Sequence, residues 1–137
     1  MTALALALRG RRVAIHDGGG QPVALAEPVP LDALPTPALV LDEAAFERNL
    51  ERMRAFLAAH GKGMRPHAKT HKCPVIAHRQ LAAGAVGICV AKVSEAAALI
   101  GAGVDRVLVT SPVVDAARAG LLAELSRRVT ALDVVVD

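Results

Sequence analysis

The sequence predicts an α/β fold in which parallel strands alternate with helices. After residue 37, short apolar runs recur about every 20 to 25 residues, and each is followed by a stretch of helical spacing that ends near a glycine. Strands separated by helices run parallel, with right-handed crossovers. An open doubly wound sheet and a (β/α) barrel both satisfy this pattern. A complete barrel of the TIM type needs about 250 residues, so these 137 residues predict a partial barrel with about its first four parallel strands.

Residues 1–36 are predicted to form an irregular leader, and residues 37–137 the N-terminal part of the barrel domain. The glycine triplet at 18–20 and the prolines at 22, 28, 30 and 35 interrupt any helical period. Only a short strand near residues 12–16 is expected there. The triplet opens no helix and precedes no Gly-Lys-Ser/Thr sequence, so it predicts a flexible turn rather than a phosphate-binding loop.

The first helix is predicted to follow a short strand at residues 38–41. Asp42 is suited to cap it, because an aspartate accepts hydrogen bonds from the free N–H groups at a helix start. The helix is expected to run to about Ala59, before Gly61. Its apolar face consists of Phe46, Leu50, Met53 and Leu57.

The remaining elements alternate regularly. Strands are expected near residues 64–69, 86–91, 106–110 and 131–136, and helices at about 74–83, 94–100 and 114–125. Ser94 with the acidic Glu95 is a predicted helix start. The chain stops at Asp137 after a strand without a covering helix, which we interpret as a truncated chain.

The composition narrows the possible functions. Hydrophobic residues make up 53% of the chain, but Phe46 and Phe56 are its only Phe, Trp or Tyr residues, so a core of Ala, Val and Leu is expected. The net charge of +3 comes from scattered arginines without interleaved aromatics, which indicates a solvated surface rather than a nucleic-acid interface. Two cysteines make no disulfide framework, and no stretch has the roughly 18 apolar residues of a membrane span. A cytoplasmic protein that binds neither nucleic acid nor membrane is expected.

Ionisable side chains are concentrated in residues 63–73. In a strand, alternate side chains share a face, and one face here carries Arg65, His67 and Lys69. Three such groups are costly on a core strand unless a ligand or a solvent-filled site receives them. Lys69 also lies at the strand end, where parallel β/α folds build their sites. Neighbouring positive charge and burial disfavour its ammonium form, and a lysine with a lowered pKa attacks a carbonyl and forms a Schiff base.

The residues alone leave other interpretations open, beginning with Lys69 as an ordinary surface lysine beside a turn. Four side chains have metal-compatible spacings but match no established zinc framework: His67, His71, Cys73 and His78. Four cations are able to bind RNA phosphates, although stacking aromatics are lacking: Lys62, Arg65, Lys69 and Lys72. Lys92, Thr110 and Ser111 also lie at strand ends. They are interpreted either as lining the same site as Lys69 or as ordinary loop residues. Cys73 and Cys89 are expected to be buried small apolar residues.

Several segments resemble a known enzyme family. Residues 36–42 read TPALVLD before a helix, and residues 65–72 read RPHAKTHK. Residues 83–92, AGAVGICVAK, and 102–105, AGVD, are similar as well. On these residues the chain resembles the D-threonine aldolases and the related D-serine dehydratases, which are pyridoxal-phosphate enzymes with an alanine-racemase-like N-terminal barrel. The resemblance covers about residues 35–137.

The resemblance implies a cofactor and a site. Lys69 is expected to be the catalytic lysine that holds pyridoxal phosphate, with Arg65, His67 and Thr70 as further cofactor-binding residues. The strand at residues 37–41 is expected to belong with a C-terminal β domain that these residues lack. A divalent metal, manganese or zinc, is expected only in that missing domain, so no metal ligand is expected in this chain.

The implied activity is that of a lyase that acts on small D-β-hydroxy amino acids. Retro-aldol cleavage to glycine and an aldehyde is favoured over D-serine dehydratase-like elimination, because the motif carries Ala68. The alternative from another class is a non-catalytic pyridoxal-phosphate-binding barrel, against which the strand at residues 37–41 argues, since it expects a second domain. The 137 residues alone are expected to be inactive and poorly soluble, and a homodimer through the open sheet edge is a possible means of completing the fold.

Overall fold

The computed structural model describes residues 38–137 and three earlier strands at residues 3–8, 11–16 and 22–23, with side chains from residue 40 onward. The chain divides into two compact units, residues 1–53 and 54–137. Each unit is described separately. No helix of the described residues is both long enough and apolar enough to cross a membrane.

The first unit contains a four-stranded sheet. Its strands are β1 (Ala3–Leu8), β2 (Arg11–His16), β3 (Pro22–Val23) and β4 (Ala38–Asp42), in the order β3-β2-β1-β4. Strand β1 pairs antiparallel with β2 and parallel with β4. Helix α1 (Glu43–Ala59) follows β4 directly, and Asp42 Oδ1 accepts the N–H of Ala45 at 2.9 Å, which confirms the predicted cap. On the predicted apolar face of α1, Leu50 is buried but Met53 is 48% exposed.

The expectation of an irregular leader was wrong for residues 3–8 and 22–23, while the short strand expected near 12–16 is confirmed. Leucines at 4, 6 and 8 alternate with alanines, and this two-residue period is typical of a strand. The prediction of an irregular leader relied instead on the prolines and glycines further along. The glycine triplet at 18–20 lies outside the described residues. The domain boundary at residue 37 and the assignment of the strand at 37–41 to a further β domain stay predictions.

The second unit is a parallel α/β arrangement, as predicted. Strands β5 (Ile88–Val90), β6 (Arg106–Val109) and β7 (Ala131–Val134) are all parallel, in the order β5-β6-β7. Helix α2 (Pro74–Ala82) precedes β5, α3 (Val93–Gly101) joins β5 to β6, and α4 (Ala116–Ser126) joins β6 to β7. Ser94 does not start α3, because the helix begins one residue earlier, after Lys92, with Glu95 in its first turn.

The strand predicted at residues 64–69 is not a regular strand. Two isolated parallel bridges join Met64 to Ala85 and His67 to Cys89, and a turn follows. Pro66 has no N–H to donate, which interrupts the ladder, although its carbonyl accepts the N–H of Cys89 at 2.7 Å. Residues 64–68, here called the bridging segment, therefore extend the parallel order to bridging segment-β5-β6-β7.

One face of this sheet is packed under helices. Its buried residues include Ile88, Val90, Val107 and Val109, in one cluster with Ala96 and Leu99 of α3. The core consists of Ala, Val and Leu, as expected, with isoleucines in addition. Because side chains alternate along a strand, Cys89, Leu108 and Asp133 lie on the opposite face. That opposite face is where the polar groups of the bridging segment meet the strands.

Candidate functional site

Lys69 lies on an exposed turn that follows the bridging segment, so the expectation that it is buried at a strand end was wrong. Ala68 before it is 2% exposed and Cys73 after it is 5% exposed, so buried residues anchor both ends of the turn. The N–H of Lys72 donates to the carbonyl of Ala68 at 2.7 Å and closes the turn around residues 69–71. Within the described part of the chain, the Lys69 ammonium has no ion-pair partner. The turn therefore presents a primary amine that no carboxylate occupies.

His67 connects this turn to the ends of two strands. The backbone N–H of Lys69 donates to Nδ1 of His67 at 3.2 Å, so Nδ1 is the acceptor nitrogen. Its Nε2 lies 3.1 Å from the Thr110 hydroxyl, which donates in turn to the carbonyl of Val90 at 3.0 Å. An imidazole that accepts at Nδ1 carries its hydrogen on Nε2. The chain of donors thus runs from Lys69 through His67 and Thr110 to the last residue of β5.

Arg65 is directed away from the Lys69 turn. Its guanidinium donates to a carboxylate oxygen of Asp133 on β7 at 2.7 Å, and both side chains are partly exposed. The Thr70 hydroxyl lies beside the lysine and donates to the His67 carbonyl at 3.5 Å. The structure thus places His67 and Thr70 next to Lys69 and ties Arg65 to β7. The cofactor-binding roles of all four residues stay predictions.

Glu95 was not among the predicted site residues, yet it contacts the same turn. Its Oε1 lies 3.2 Å from the Lys72 ammonium, and its Oε2 accepts the N–H of Ala91 at 2.9 Å. Burial acts to raise the pKa of Glu95, but the hydrogen bonds from Ala91 and Lys72 outweigh burial and hold it below its usual value. The sequence signal was a glutamate three residues after Lys92, the residue that precedes α3, which is where a capping glutamate stands.

Asp133 is the other residue that sequence reasoning missed. It is the single acid in the run ALDVVV, and an acid inside an apolar strand signals a polar group on one face of the sheet. Its partner Arg65 was recognised, but the two lie 68 residues apart, so their pairing became visible only in the folded chain.

The four residues considered as metal ligands do not converge. Nδ1 of His71 accepts the N–H of Cys73 at 3.0 Å, and Nε2 of His78 lies 2.8 Å from the carbonyl of Ala102. Among residues 40–137, no group of three or more His, Cys, Asp or Glu side chains is placed to hold a metal ion. His71 is instead half-buried, and burial lowers the pKa of its imidazole.

Both cysteines are buried, as predicted, and both are free thiols. Burial raises the pKa of Cys89, and the positive charge of Arg65 acts in the opposite direction. Of the residues considered at strand ends, Thr110 takes part in the His67 chain, whereas Lys92 and Ser111 are exposed.

Comparison with known proteins agrees with this arrangement of parallel strands and helices. The family model for the N-terminal domain of alanine racemase matches residues 41–135, and the chain belongs to this family. The D-threonine aldolase of Arthrobacter sp. is 50% identical over 108 residues, which are 79% of this chain and 28% of that protein. The crystal structure of D-threonine aldolase from Filomicrobium marinum superposes with a TM-score of 0.76 at 49% identity, covering 80% of this chain and 29% of that one.

A dehydratase is also similar to this chain. The D-threo-3-hydroxyaspartate dehydratase of Delftia sp. is 43% identical over 75 residues, which are 55% of this chain and 20% of that protein. The family that the resemblance implied is thereby confirmed. The chain spans less than a third of the length of each of these relatives.

Proposed function

We propose that this chain is the lysine-bearing part of a pyridoxal-phosphate-dependent lyase that cleaves small D-β-hydroxy amino acids to glycine and an aldehyde. The observation that carries the proposal is the exposed Lys69 amine, unpaired within the described residues, on a turn at the carboxyl end of parallel strands. The 50% identity to a D-threonine aldolase supports aldol cleavage as the reaction.

The sheet order supports a barrel as the scaffold. The bridging segment, β5, β6 and β7 are neighbours in the same order in space and in sequence, and all are parallel. A doubly wound sheet reverses its order near the middle, whereas a barrel adds each new strand beside the last. These are therefore about the first four strands of a (β/α) barrel, with Lys69 and Thr110 at the strand ends where barrel enzymes carry their sites.

The residues present fit the aldehyde of pyridoxal phosphate. A primary amine free of carboxylate partners is the group that such an aldehyde requires, and Lys69 supplies it. When bound, the cofactor supplies an electron sink for the pair of electrons released at the substrate α-carbon. Lys69 holds the cofactor at Nζ, with Thr70 beside it.

His67 acts as a support rather than as a base. Its Nδ1 is occupied by the Lys69 N–H and its Nε2–H is directed at Thr110, so neither nitrogen is available to accept a substrate proton without breaking a bond. Its contribution is to fix the backbone from which the Lys69 side chain extends. Arg65, paired with Asp133, supports the sheet face from the opposite end of the bridging segment.

The rest of the proposal concerns the metal, the cellular compartment, the substrate and the oligomeric state. A divalent metal, manganese or zinc, would be held by a β domain outside these residues, with which the strand at 37–41 would belong, and would supply a Lewis acid for the β-hydroxyl of the substrate. The enzyme is cytoplasmic, which the two free buried thiols support. It acts on a small D-amino acid, binds no nucleic acid or membrane, and is able to form a homodimer.

Dehydration is the second candidate, favoured by the similarity to a hydroxyaspartate dehydratase. The two reactions give different products from matched substrates. An aldolase releases glycine from D-threonine, whereas a dehydratase releases ammonia and a keto acid from a D-3-hydroxy amino acid. A protein that binds the cofactor and releases neither set of products is the non-catalytic barrel.

The test is to trap the cofactor on its lysine in the protein at the full length that its gene encodes. After incubation with pyridoxal phosphate, borohydride is expected to fix the cofactor on Lys69, as peptide mass mapping shows. Lys69→Met is expected to remove the yellow colour and glycine release from D-threonine, and the matched variant Lys62→Met to retain both. Label on Lys62, Lys72 or Lys92 in place of Lys69 contradicts the proposal.

A further inference from the structure

One carboxylate joins the Lys69 turn to the neighbouring strand end. Glu95 contacts the Lys72 ammonium with Oε1 and the Ala91 N–H with Oε2, at 3.2 and 2.9 Å. Ala91 is the first residue after β5, and Lys72 is the last residue of the turn that begins at Ala68. The Glu95 side chain is only 14% exposed, whereas the Lys72 side chain is 63% exposed, so a largely covered carboxylate meets an ammonium at the solvent boundary.

The backbone of Lys72 needs such a partner. Its φ is +47°, and it is the only residue other than glycine with a positive φ among the described residues. This left-handed conformation is unfavourable for a side chain with a Cβ, and it persists where surrounding contacts enforce it. Two contacts enforce it here, the Lys72 N–H to the Ala68 carbonyl at 2.7 Å and the Lys72 ammonium to Glu95.

The turn is therefore held on both sides of Lys69. On its N-terminal side, the Ala68 N–H donates to the Cys89 carbonyl at 2.8 Å. On its C-terminal side, Cys73 is buried, and the ion pair between Lys72 and Glu95 joins the turn to α3. Both anchors lead to residues 89–91, at the end of β5. A shift of the second anchor moves Lys69 relative to that strand end.

We propose that Glu95, acting through Lys72, is a positioning residue that fixes the turn and thereby the place of the Lys69 amine. The inference rests on the proposed function of Lys69 as the cofactor lysine. Glu95 touches neither cofactor nor substrate in this role. It also leaves Lys69 unpaired, since the carboxylate binds the neighbouring lysine of the turn and the Ala91 N–H.

The experiment compares Glu95→Gln, Lys72→Met and the double variant with the unchanged protein at full encoded length. Glu124→Gln, on the exposed surface of α4, and Lys62→Met are the matched controls. Two quantities are measured: amide hydrogen exchange at Lys72 without cofactor, and the rate at which borohydride traps pyridoxal phosphate on Lys69. Hydrogen exchange at Lys72 reports on the turn alone, whereas borohydride trapping also requires that Lys69 binds the cofactor.

Each single variant is expected to speed exchange at Lys72 and to slow trapping on Lys69 by a factor of about ten, within the range for coupled residues of one network. Hydrogen exchange at the amides of β6 is expected to stay unchanged in these variants. Both measured rates are expected to stay unchanged in the two control variants. The double variant is expected to be no slower than the worse single variant, because both remove the same contact.

Unchanged exchange at Lys72 in Glu95→Gln overturns the positioning role whatever the cofactor result. Additive losses in the double variant overturn it as well, since independent effects then account for both residues. If exchange at Lys72 is faster but the rate of trapping on Lys69 is unchanged, the contact is only structural, and the positioning role is again overturned. If the unchanged protein takes no label on Lys69, the proposed function itself fails, and the positioning role fails with it.

Discussion

The guanidinium of Arg65 lies 2.7 Å from the carboxylate of Asp133, and this contact joins the first and last members of the parallel sheet. The side chain passes Gly87, where a Cβ would stand 3.4 Å from Nε of Arg65. The same Cβ would stand 3.0 Å from the carbonyl oxygen of Arg106. The residue before β5 is thus small because both the neighbouring backbone and the arginine occupy the space above it.

Gly87→Ala is expected to lower the free energy of unfolding by about 1–3 kcal/mol, the usual cost of overpacking. The backbone of Arg106 cannot move without disturbing β6, so the strain is not relieved locally. Chemical unfolding in urea measures the loss.

Gly101→Ala is the matched control, because no atom lies within 4 Å of its added Cβ and the residue ends a helix. This control is expected to be neutral or to stabilise by up to about 1 kcal/mol. Equal losses in the two variants contradict the crowding argument.

Thr110→Val removes a hydroxyl that both accepts from His67 and donates to the Val90 carbonyl. The shape is kept and the Val90 carbonyl still accepts the Thr110 N–H at 2.8 Å, but the part-buried Nε2–H of His67 loses its partner. A loss of about 1–3 kcal/mol in unfolding free energy is therefore expected. Thr110→Ser keeps the hydroxyl and is expected to lose less than half as much. Nitrogen NMR of the His67 ring checks the assignment directly: hydrogen on Nε2 is expected in the unchanged protein, and hydrogen on Nδ1 contradicts it.

His71 is expected to make the fold sensitive to mild acid. Burial lowers the pKa of its imidazole in the folded chain, so the unfolded chain takes up the proton first, near pH 6.5. The stability that the neutral ring contributes is therefore present above that pH and is lost as the pH falls through the lower folded-state value.

His71→Asn provides the comparison, since an asparagine oxygen is able to accept the Cys73 N–H two residues on, as Nδ1 does. Urea unfolding at about pH 7.5 and about pH 5.5 is expected to show a smaller drop in stability for the variant than for the unchanged protein. A drop of equal size in both shows that other groups carry the acid sensitivity.

The 137-residue polypeptide alone is expected to be poorly soluble and without aldolase turnover. Strand β7 pairs with β6, and the two valines that follow its end are exposed, 40% for Val135 and 84% for Val136. An apolar β-branched strand edge is a template for aggregation. Light scattering and a glycine-release assay with D-threonine, pyridoxal phosphate and manganese measure both properties. A soluble monomer whose turnover is abolished by Lys69→Ala refutes this expectation.

Local chemistry explains which parts of the structure were predictable. The cap at Asp42, the presence of each helix and the three regular parallel strands follow from side-chain spacing, which acts within a few residues, although α3 and α4 begin one and two residues from their expected starts. The strand at 64–69 failed because a proline interrupts its ladder and the turn begins at Ala68. The strands of residues 1–36 were missed because prolines and glycines received more weight than the leucine alternation.

In the candidate site, too, contacts between residues close in sequence were predictable and contacts between distant residues were not. Lys69, His67 and Thr70 are close in sequence, so their proximity was predictable. Thr110 was recognised only as a residue at a strand end and Glu95 only as part of a helix start, and Asp133 was not recognised at all. The partners of Thr110, Asp133 and Glu95 lie 43, 68 and 23 residues away. Such contacts depend on strand register, which no local spacing specifies.

The order of the parallel sheet has a consequence for how the second unit forms during synthesis. Each strand hydrogen-bonds to the one made just before it, and the helix between them is complete by the time the next strand appears. Every step closes a loop of similar, modest length, so no early strand waits for a distant partner. The turn that carries Lys69 is also complete early, because Ala91 and Glu95 follow it within one strand and the start of one helix. The unit is thus built to fold from its N-terminus as the chain leaves the ribosome, with the lysine in place before the later strands exist.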